Sequence, residues 1–333
     1  MEELNIVVIG LGSMGKRRTR IVRSLYPKFC VLGVDMSADR RRDFVDEFSL
    51  PVFASLAEAM ENRKIDAAII STSPLAHADI ANECLRYGLH VFTEINLQSY
   101  RYKENIHLAQ TNHIQLFLSS TFLYRKETKF IYQKVKAVNE PLSYMYHVGQ
   151  YLPDWHPWED YRNYFVAKRE SNACRELFAI EMPWLINTFG KIESLQVISD
   201  KMSNLDLPYH DNYMVMIKHV SSHKGMLAVD VVSREAVRDF CVYGEHLFIK
   251  WDGTPQGLQI KNIDNGERTP IQLYEQETAR HDDNYSRNII ENAYESEIEA
   301  FVSTIRDGKK PVYGYNDDVE TLSWIDKIEE GME

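Results

Sequence analysis

Leu4-Asn5-Ile6-Val7-Val8-Ile9, followed at once by Gly10-Leu11-Gly12-Ser13-Met14-Gly15, is the stretch on which the fold turns. An apolar run of strand length leads into a G-x-G-x-x-G pattern, and Met14–Tyr26 then reads as a helix. Short glycine patterns arise by chance, but this one lies between a strand and a helix, the context that gives it meaning. There Gly10 permits the tight turn, Gly12 lets the backbone approach a pyrophosphate, and Gly15 lets helix and strand pack closely. The N-terminus of the helix, with Ser13 and Met14 in its first turn, then faces the phosphates. The pattern predicts a dinucleotide site.

Outward from this turn, strand and helix alternate. Val31–Asp35, Pro51–Phe53, Asp66–Ser71, His90–Thr93 and Gln115–Ser119 read as strands. Helices are expected over Ala38–Phe48, Leu56–Asn62, Leu75–Tyr87 and Tyr102–Asn112. Alternation at this pitch means a parallel, doubly wound α/β sheet. Asp35 ends the second strand, where a carboxylate can accept hydrogen bonds from the adenosine ribose hydroxyls. It would repel a 2′-phosphate, which favours NAD over NADP, although Arg40, Arg41 and Arg42 follow and an arginine there can hold that phosphate. Asp35 could instead cap the following helix, a role equally open to Ser37.

Past Leu123 the character changes. A helix over Lys126–Ala137 is followed by strand-like runs at Ser143–Val148, Ser194–Ile198, Tyr213–Val220, Met226–Val232, Phe240–Tyr243 and His246–Trp251. Strands in succession suggest an antiparallel sheet. One long helix, Ala173–Phe189, interrupts them and stops at Gly190, and Ile289, Ile290, Ala293, Tyr294, Ile298, Phe301 and Ile305 trace a helical apolar stripe. The expected organisation is a Rossmann domain over residues 1–122 and an α+β substrate-binding and oligomerisation domain over 123–333, its last helices packing back toward the first. The second domain's sheet is expected to be largely antiparallel and open.

The bulk numbers agree with two folded domains: 333 residues, 44% hydrophobic and 26% charged. A net charge of −11 and a pI near 5.5 argue against nucleic acid and anionic membranes as partners. They leave room for an anionic small ligand in a local pocket. Cys30, Cys84, Cys174 and Cys241 are scattered, with no metal-ligand spacing and no supporting ligand cluster elsewhere. They read as apolar fillers, Cys174 being the one that could be reactive. The first residues run directly into a strand without a secretory pattern, and no apolar run nears the roughly 20 residues that span a bilayer. A cytoplasmic location is expected.

Ser71-Thr72-Ser73-Pro74-Leu75-Ala76-His77, then Ala81, then Gly88-Leu89-His90-Val91-Phe92-Thr93-Glu94, resembles the Gfo/Idh/MocA family of glucose–fructose oxidoreductase and inositol dehydrogenase. Members show S-T-P-x-x-x-H on the fourth strand and G-K-H-V-x-x-E-K-P on the fifth. The likeness continues through Val231–Trp251 and Tyr294–Val312. It implies a C-terminal open sheet that carries substrate against the nicotinamide. It also implies that Ser71, Thr72 and Ser73 line the cofactor, that His77 lies near it, and that Glu94 approaches the nicotinamide ribose. His77 could equally begin its helix with structural bonds alone. The departures matter as much. The family's E-K-P is Glu94-Ile95-Asn96 here, so its substrate-contacting lysine is gone. On the second domain's helix the family's D-x-G-x-H stretch is matched by Cys174–Glu181, with Glu176 for the aspartate and Ile180 for the histidine.

Oxidising a carbinol requires a group to take the hydroxyl proton, and isoleucine cannot. The loop Gly149–Arg162 gathers aromatic, acidic and basic side chains that suit a sugar-like ligand. It also resembles a Y-L-P-x-W-R-P-x-x-D-Y-R pattern in the family's branch linked to surface-sugar biosynthesis, with His156 in place of an arginine. Its tryptophans could instead fill a crevice. The proton-handling candidates are His156, Tyr161, Glu176 and Asp160, with Glu181 behind them. Glu176 and Glu181 are five apart on a helix, so at most one faces the site. His210-Asp211 reads more simply as a turn. The leading expectation is an NAD-dependent oxidoreductase of a sugar, sugar acid or nucleotide sugar, forming a homo-oligomer through the open sheet face. The alternatives are a non-catalytic NAD(H)-binding protein and a redox-assisted lyase or epimerase.

Overall fold

The computed structural model describes residues 3–157, 159–274, 279–280 and 289–331. In chain order the first elements are β1 (Asn5–Ile9), α1 (Ser13–Leu25), β2 (Cys30–Val34), α2 (Ala38–Phe48), β3 (Val52–Phe53), α3 (Leu56–Asn62), β4 (Ala67–Ile70), α4 (His77–Arg86), β5 (His90–Thr93), α5 (Tyr102–Thr111) and β6 (Leu116–Leu118). Then follow α6 (Lys126–Ala137), β7 (Ser143–Gly149), α7 (Ala173–Phe189), β8 (Ile192–Asp200), β9 (Asn212–His219), β10 (Lys224–Asp230), β11 (Val237–Tyr243), β12 (Phe248–Trp251), β13 (Gln259–Lys261), β14 (Arg268–Pro270), α8 (Glu291–Asp307) and α9 (Tyr315–Glu330). The chain forms two compact units. One holds the described residues up to Ser120 with Tyr294–Val319, and the other holds Thr121–Ala293 with those from Glu320 onward.

The first unit is built on a six-stranded parallel sheet in the order β3-β2-β1-β4-β5-β6. Helices cover both faces of such a sheet, so its central strands must be apolar throughout. Ile6, Val7 and Val8 of β1 and Ala67–Ile70 of β4 are indeed fully buried. Strand order reverses between β1 and β4, and ligands of open α/β sheets bind at the carboxyl ends of strands at that switch point. The unit is closed by α8, whose Phe301 meets Phe92 and Phe117 edge-on. α8 also delivers Glu297 to Arg18 of α1 at 2.6 Å, while Arg18 holds Glu94 through two bonds of 2.6 and 3.0 Å. Burial alone would lower the Arg18 pKa, but the two carboxylates raise it, so the cation persists without water.

The second unit carries an eight-stranded sheet ordered β14-β13-β12-β11-β7-β10-β9-β8. All its pairings are antiparallel except β7 with β10, which run parallel from Ser143↔Lys224 to Gly149↔Asp230. The exception arises because α7, β8 and β9 intervene before the chain returns beside β7. One face of the sheet packs on α7: Trp184 meets Tyr146 and Phe240 edge-on, Phe189 stacks on Tyr144, and Phe178 meets Tyr213. The other face alternates outward. Met216, Met226 and Met145 lie in one row across β9, β10 and β7, with Ile198 and Met214 in the next, and each of the five is exposed.

Candidate active site

In the first unit the three glycines meet three different constraints. Gly10 has φ +91°, and a Cβ there would lie 2.6 Å from the Ser71 carbonyl oxygen. A Cβ on Gly15 would lie 1.9 Å from the Gly10 carbonyl oxygen. At Gly12 a Cβ would meet nothing within 4 Å, so the space above it is open. Gly12 is also the N-cap of α1, which has neither a side-chain cap nor an acidic residue in its first turn. The first-turn N–H groups, around the exposed Ser13 and half-buried Met14, are therefore left to a ligand. Beside this turn, the buried Ser71 hydroxyl has no hydrogen-bond partner among the described residues. An open pyrophosphate approach and an unused hydroxyl on its rim fit a dinucleotide.

Asp35 stands just beyond β2. One of its oxygens accepts from Leu11 N (2.9 Å) and the other from Ser37 N (2.8 Å), which fixes the carboxylate at the glycine turn and leaves each oxygen a further lone pair. Ser37 caps α2, its hydroxyl accepting from Arg40 N at 3.3 Å. Arg41 donates to the Asp35 and Met36 carbonyls at 2.6 and 2.9 Å, and Arg40 lies 3.7 Å from the carboxylate. Across the switch point, Thr72 and Ser73 follow β4. His77 is buried, with one ring nitrogen 3.0 Å from the Thr72 carbonyl oxygen and the other 2.9 Å from the Asn96 side chain. Burial pushes its pKa down, against the two oxygens at its ring nitrogens, which favour the protonated ring. Glu94 directly follows β5 and pairs with Arg18, and Ile95 beside it is half-buried.

The second unit collects a different set. Asn172 caps α7 by accepting from Arg175 N at 2.7 Å, and Arg175 in turn is gripped by Asp326 and Glu329 of α9. This fixes the first turn of α7, from which Glu176 projects, half-buried. Burial pushes its carboxyl up to about 7, and among the described residues it has no hydrogen bond or ion pair to lower it. Ile180, one turn on, is half-buried along the same edge of the helix. Glu181 turns the other way and is fully buried, accepting from Tyr146 (2.7 Å), Trp184 (2.8 Å) and Arg238 (2.9 Å). One carboxylate of the two is thus structural and the other open.

Tyr164 stands near Glu176, close enough that the carboxylate, after burial, helps raise the phenol's pKa. Its hydroxyl is buried without a hydrogen-bond partner among the described residues. His156 stacks on the Tyr164 ring at 5.1 Å and 11°, and burial lowers the imidazole pKa. Sequence reasoning stopped at Arg162 and so missed Tyr164. Its signal was there: one more aromatic hydroxyl two residues past a loop already read as a ligand site.

Asp160 and Tyr161 are placed otherwise. Asp160 caps a short turn and accepts from the Arg162 side chain and backbone at 3.0 Å, which brings its carboxyl down to about 2 and makes it a poor proton carrier near neutrality. The Tyr161 hydroxyl accepts from Asp206 N at 3.1 Å. Trp158 of this loop lies outside the described residues. Cys174 is buried among acidic groups with its thiol pushed far up, so it is inert. Asp211 anchors the 202–203 turn and His210 bonds Ser199, as befits a turn.

A parallel sheet with a glycine turn at its switch point, a carboxylate after its second strand and an uncapped helix aimed at the crevice define a dinucleotide-binding Rossmann unit. Residues 4–119 match the Gfo/Idh/MocA oxidoreductase family, NAD-binding Rossmann fold, so this unit is similar to that family's cofactor-binding unit, and its cofactor is NAD. No curated protein sequence matches the chain. Solved structures of similar fold cover nearly all of it. A protein from Desulfitobacterium hafniense described as an NADPH-dependent oxidoreductase has a TM-score of 0.81 at 13% identity, covering 99% of this chain and 95% of its own. A levoglucosan dehydrogenase in complex with NADH has a TM-score of 0.78 at 15% identity, covering 99% and 97%. The UDP-N-acetylglucosamine 3-dehydrogenase of Acidithiobacillus ferrooxidans has 0.75 at 16%, covering 100% and 98%.

Proposed function

We propose that this protein is an NAD-dependent oxidoreductase of a small polyhydroxy substrate, a sugar, sugar acid or nucleotide sugar, with Glu176 as its acid–base group. What carries this reading is the place of Glu176, half-buried at the start of α7 with no hydrogen bond or ion pair among the described residues, where burial pushes its carboxyl up to about 7. Such a group is ionised enough to accept a proton and protonated enough to return one, the condition general acid–base catalysis asks for. NAD supplies the acceptor for hydride from the carbinol carbon. Glu176 takes the hydroxyl proton as the C=O bond forms. His156 and Tyr164 pass it on or hold the substrate's neighbouring hydroxyls. The dehydrogenases of like fold act on carbohydrate substrates by their names, which supports the substrate class. The site's departures at Ile95 and Ile180 are then a relocation of proton handling, in which the family's lysine and histidine give way to a single carboxylate.

The test is a panel of sugars, sugar acids and nucleotide sugars with NAD, followed by NADH absorbance. Turnover whose kcat/KM for oxidation rises through pH 7 supports the assignment. Tight NADH binding with no turnover on any class would favour the non-catalytic alternative. The exposed methionine rows belong to the same reading: a second copy of the chain covers that face in a homo-oligomer. A cytoplasmic location also belongs to it and suits four unpaired cysteines. Among the described residues no helix is long and apolar enough to cross a membrane.

A further inference from the structure

His77 and Asn96 form the centre of a buried polar cluster inside the first unit that the reaction chemistry does not use. Asn96, buried just past β5, meets His77 Nδ1 through its Oδ1 at 2.9 Å and lies beside the Tyr102 and Tyr315 hydroxyls, whose pKa values its side chain works to lower. Those tyrosines are fixed in turn. Tyr102 donates to Asp318 at 2.5 Å, Tyr313 donates to the other Asp318 oxygen at 2.7 Å, and Tyr315 bonds the Thr93 hydroxyl at 2.7 Å. Asn96 is therefore a rigid post. From it the His77 ring reaches across the ends of β5 and β4 to the Thr72 carbonyl, which can only accept, so the facing ring nitrogen carries the hydrogen. Thr72 and Ser71 form the wall against the glycine turn: a Cβ on Gly10 would meet the Ser71 carbonyl oxygen at 2.6 Å and Thr72 Cγ2 at 2.9 Å.

We propose that Asn96 is a positioning residue for the cofactor, holding the Ser71–Ser73 wall at the β4 half of the dinucleotide crevice through His77. The family motif that the sequence resembles has proline at this place, whose side chain has no donor or acceptor, so the post belongs to this chain. The inference rests on the NAD site and is independent of the substrate. A dinucleotide lies across the switch point with one mononucleotide on each half of the sheet. Loosening the β4 wall should weaken the nicotinamide half and spare the adenosine half, which Asp35 and the glycine turn hold.

The experiment compares NADH and ADP binding to the full chain by titration. Asn96→Leu removes the amide at similar size, and His77→Phe removes the ring nitrogens. Each should raise the NADH dissociation constant about tenfold, the loss of one net hydrogen bond, with ADP affinity within about twofold of the parent protein. The double variant should bind NADH no worse than His77→Phe alone, since Asn96 acts through the ring. NADH affinity unchanged in both single variants would overturn the proposal. So would NADH and ADP affinities falling together, or additive losses in the double variant. If Asn96→Leu does not fold, His77→Phe carries the same NADH-against-ADP comparison. Failure of the parent protein itself to bind NADH would instead strike at the cofactor assignment.

Discussion

Replacing Glu176 with glutamine should make the protein more stable and less active at the same time. The ordinary glutamate value is 4.5, and burial on α7 raises this one to about 7. Between those two values the folded protein keeps a proton that the unfolded chain has released, so stability falls as pH rises across that window and stays lowered above it. Moving a carboxyl from 4.5 to about 7 corresponds to about 3 kcal/mol. The glutamine amide carries no charge to desolvate. The Glu176→Gln variant should therefore match the parent near pH 4.5 and exceed it by about 3 kcal/mol at pH 8. Denaturant unfolding at the two pH values, monitored by tryptophan fluorescence, reads the difference. On an accepted substrate the same change should lower kcat by about 10²–10⁴ and remove the pH 7 limb of the kcat/KM profile. Turnover within about fivefold of the parent would refute the proton-transfer role. A stability difference that fails to grow between pH 4.5 and 8 would refute the buried-carboxyl reasoning behind it.

The glycines should separate by constraint. Gly12→Ala leaves melting temperature nearly unchanged, because its Cβ meets nothing, yet weakens NADH binding at least about tenfold, whereas Gly15→Ala destabilises the first unit by several kcal/mol against the Gly10 carbonyl. Calorimetry should show tighter binding of NAD(H) than NADP(H), with Asp35→Ala weakening NAD and narrowing the difference; a preference for NADP(H) would remove Asp35 from its role. Light scattering should give more than the mass of one 38.8 kDa chain, and Met226→Glu, in the middle of the exposed row, should reduce it to one. His156→Ala should cost about 10²-fold in kcat while leaving NADH affinity unchanged, since the ring stands against Tyr164 in the second unit.

Local pattern made the Rossmann unit readable. Helices α2, α3, α6 and α7 have the bounds expected from capping residues and apolar spacing, and Gly190 stops α7 as expected. What escaped was set by distance along the chain. The short strands β13 and β14 at one end of the sheet have too few residues to show a period, and the parallel β7–β10 pair depends on how 74 intervening residues are routed, which no local pattern encodes. The site divides in the same way. Gly10, Gly12, Gly15 and Asp35 follow from the strand–turn–helix context. That Glu176 is open while Glu181 is enclosed by Tyr146, Trp184 and Arg238 follows only from which helix face meets the sheet. Asn96 was visible merely as a missing proline, because Tyr315 and Asp318, which complete the cluster around it, are more than two hundred residues away.

The Arg18 ion cluster bears on the order in which this chain folds as it is made. Arg18 and its second carboxylate are separated by 279 positions, and the backbone N–H of Ser120 also donates to that same Glu297. A ribosome that has released the whole six-stranded sheet has not yet made the helix that completes its charge balance. Until Glu297 emerges, the nascent unit must keep a guanidinium in its interior with Glu94 as sole counter-ion, or stay partly open so that water reaches it. Closure across so long a loop is slow, and domains of this kind spend their synthesis exposed to misassembly. A chain arrested near residue 290 should accordingly be protease-sensitive in β1–β6, although every strand of that sheet is already present.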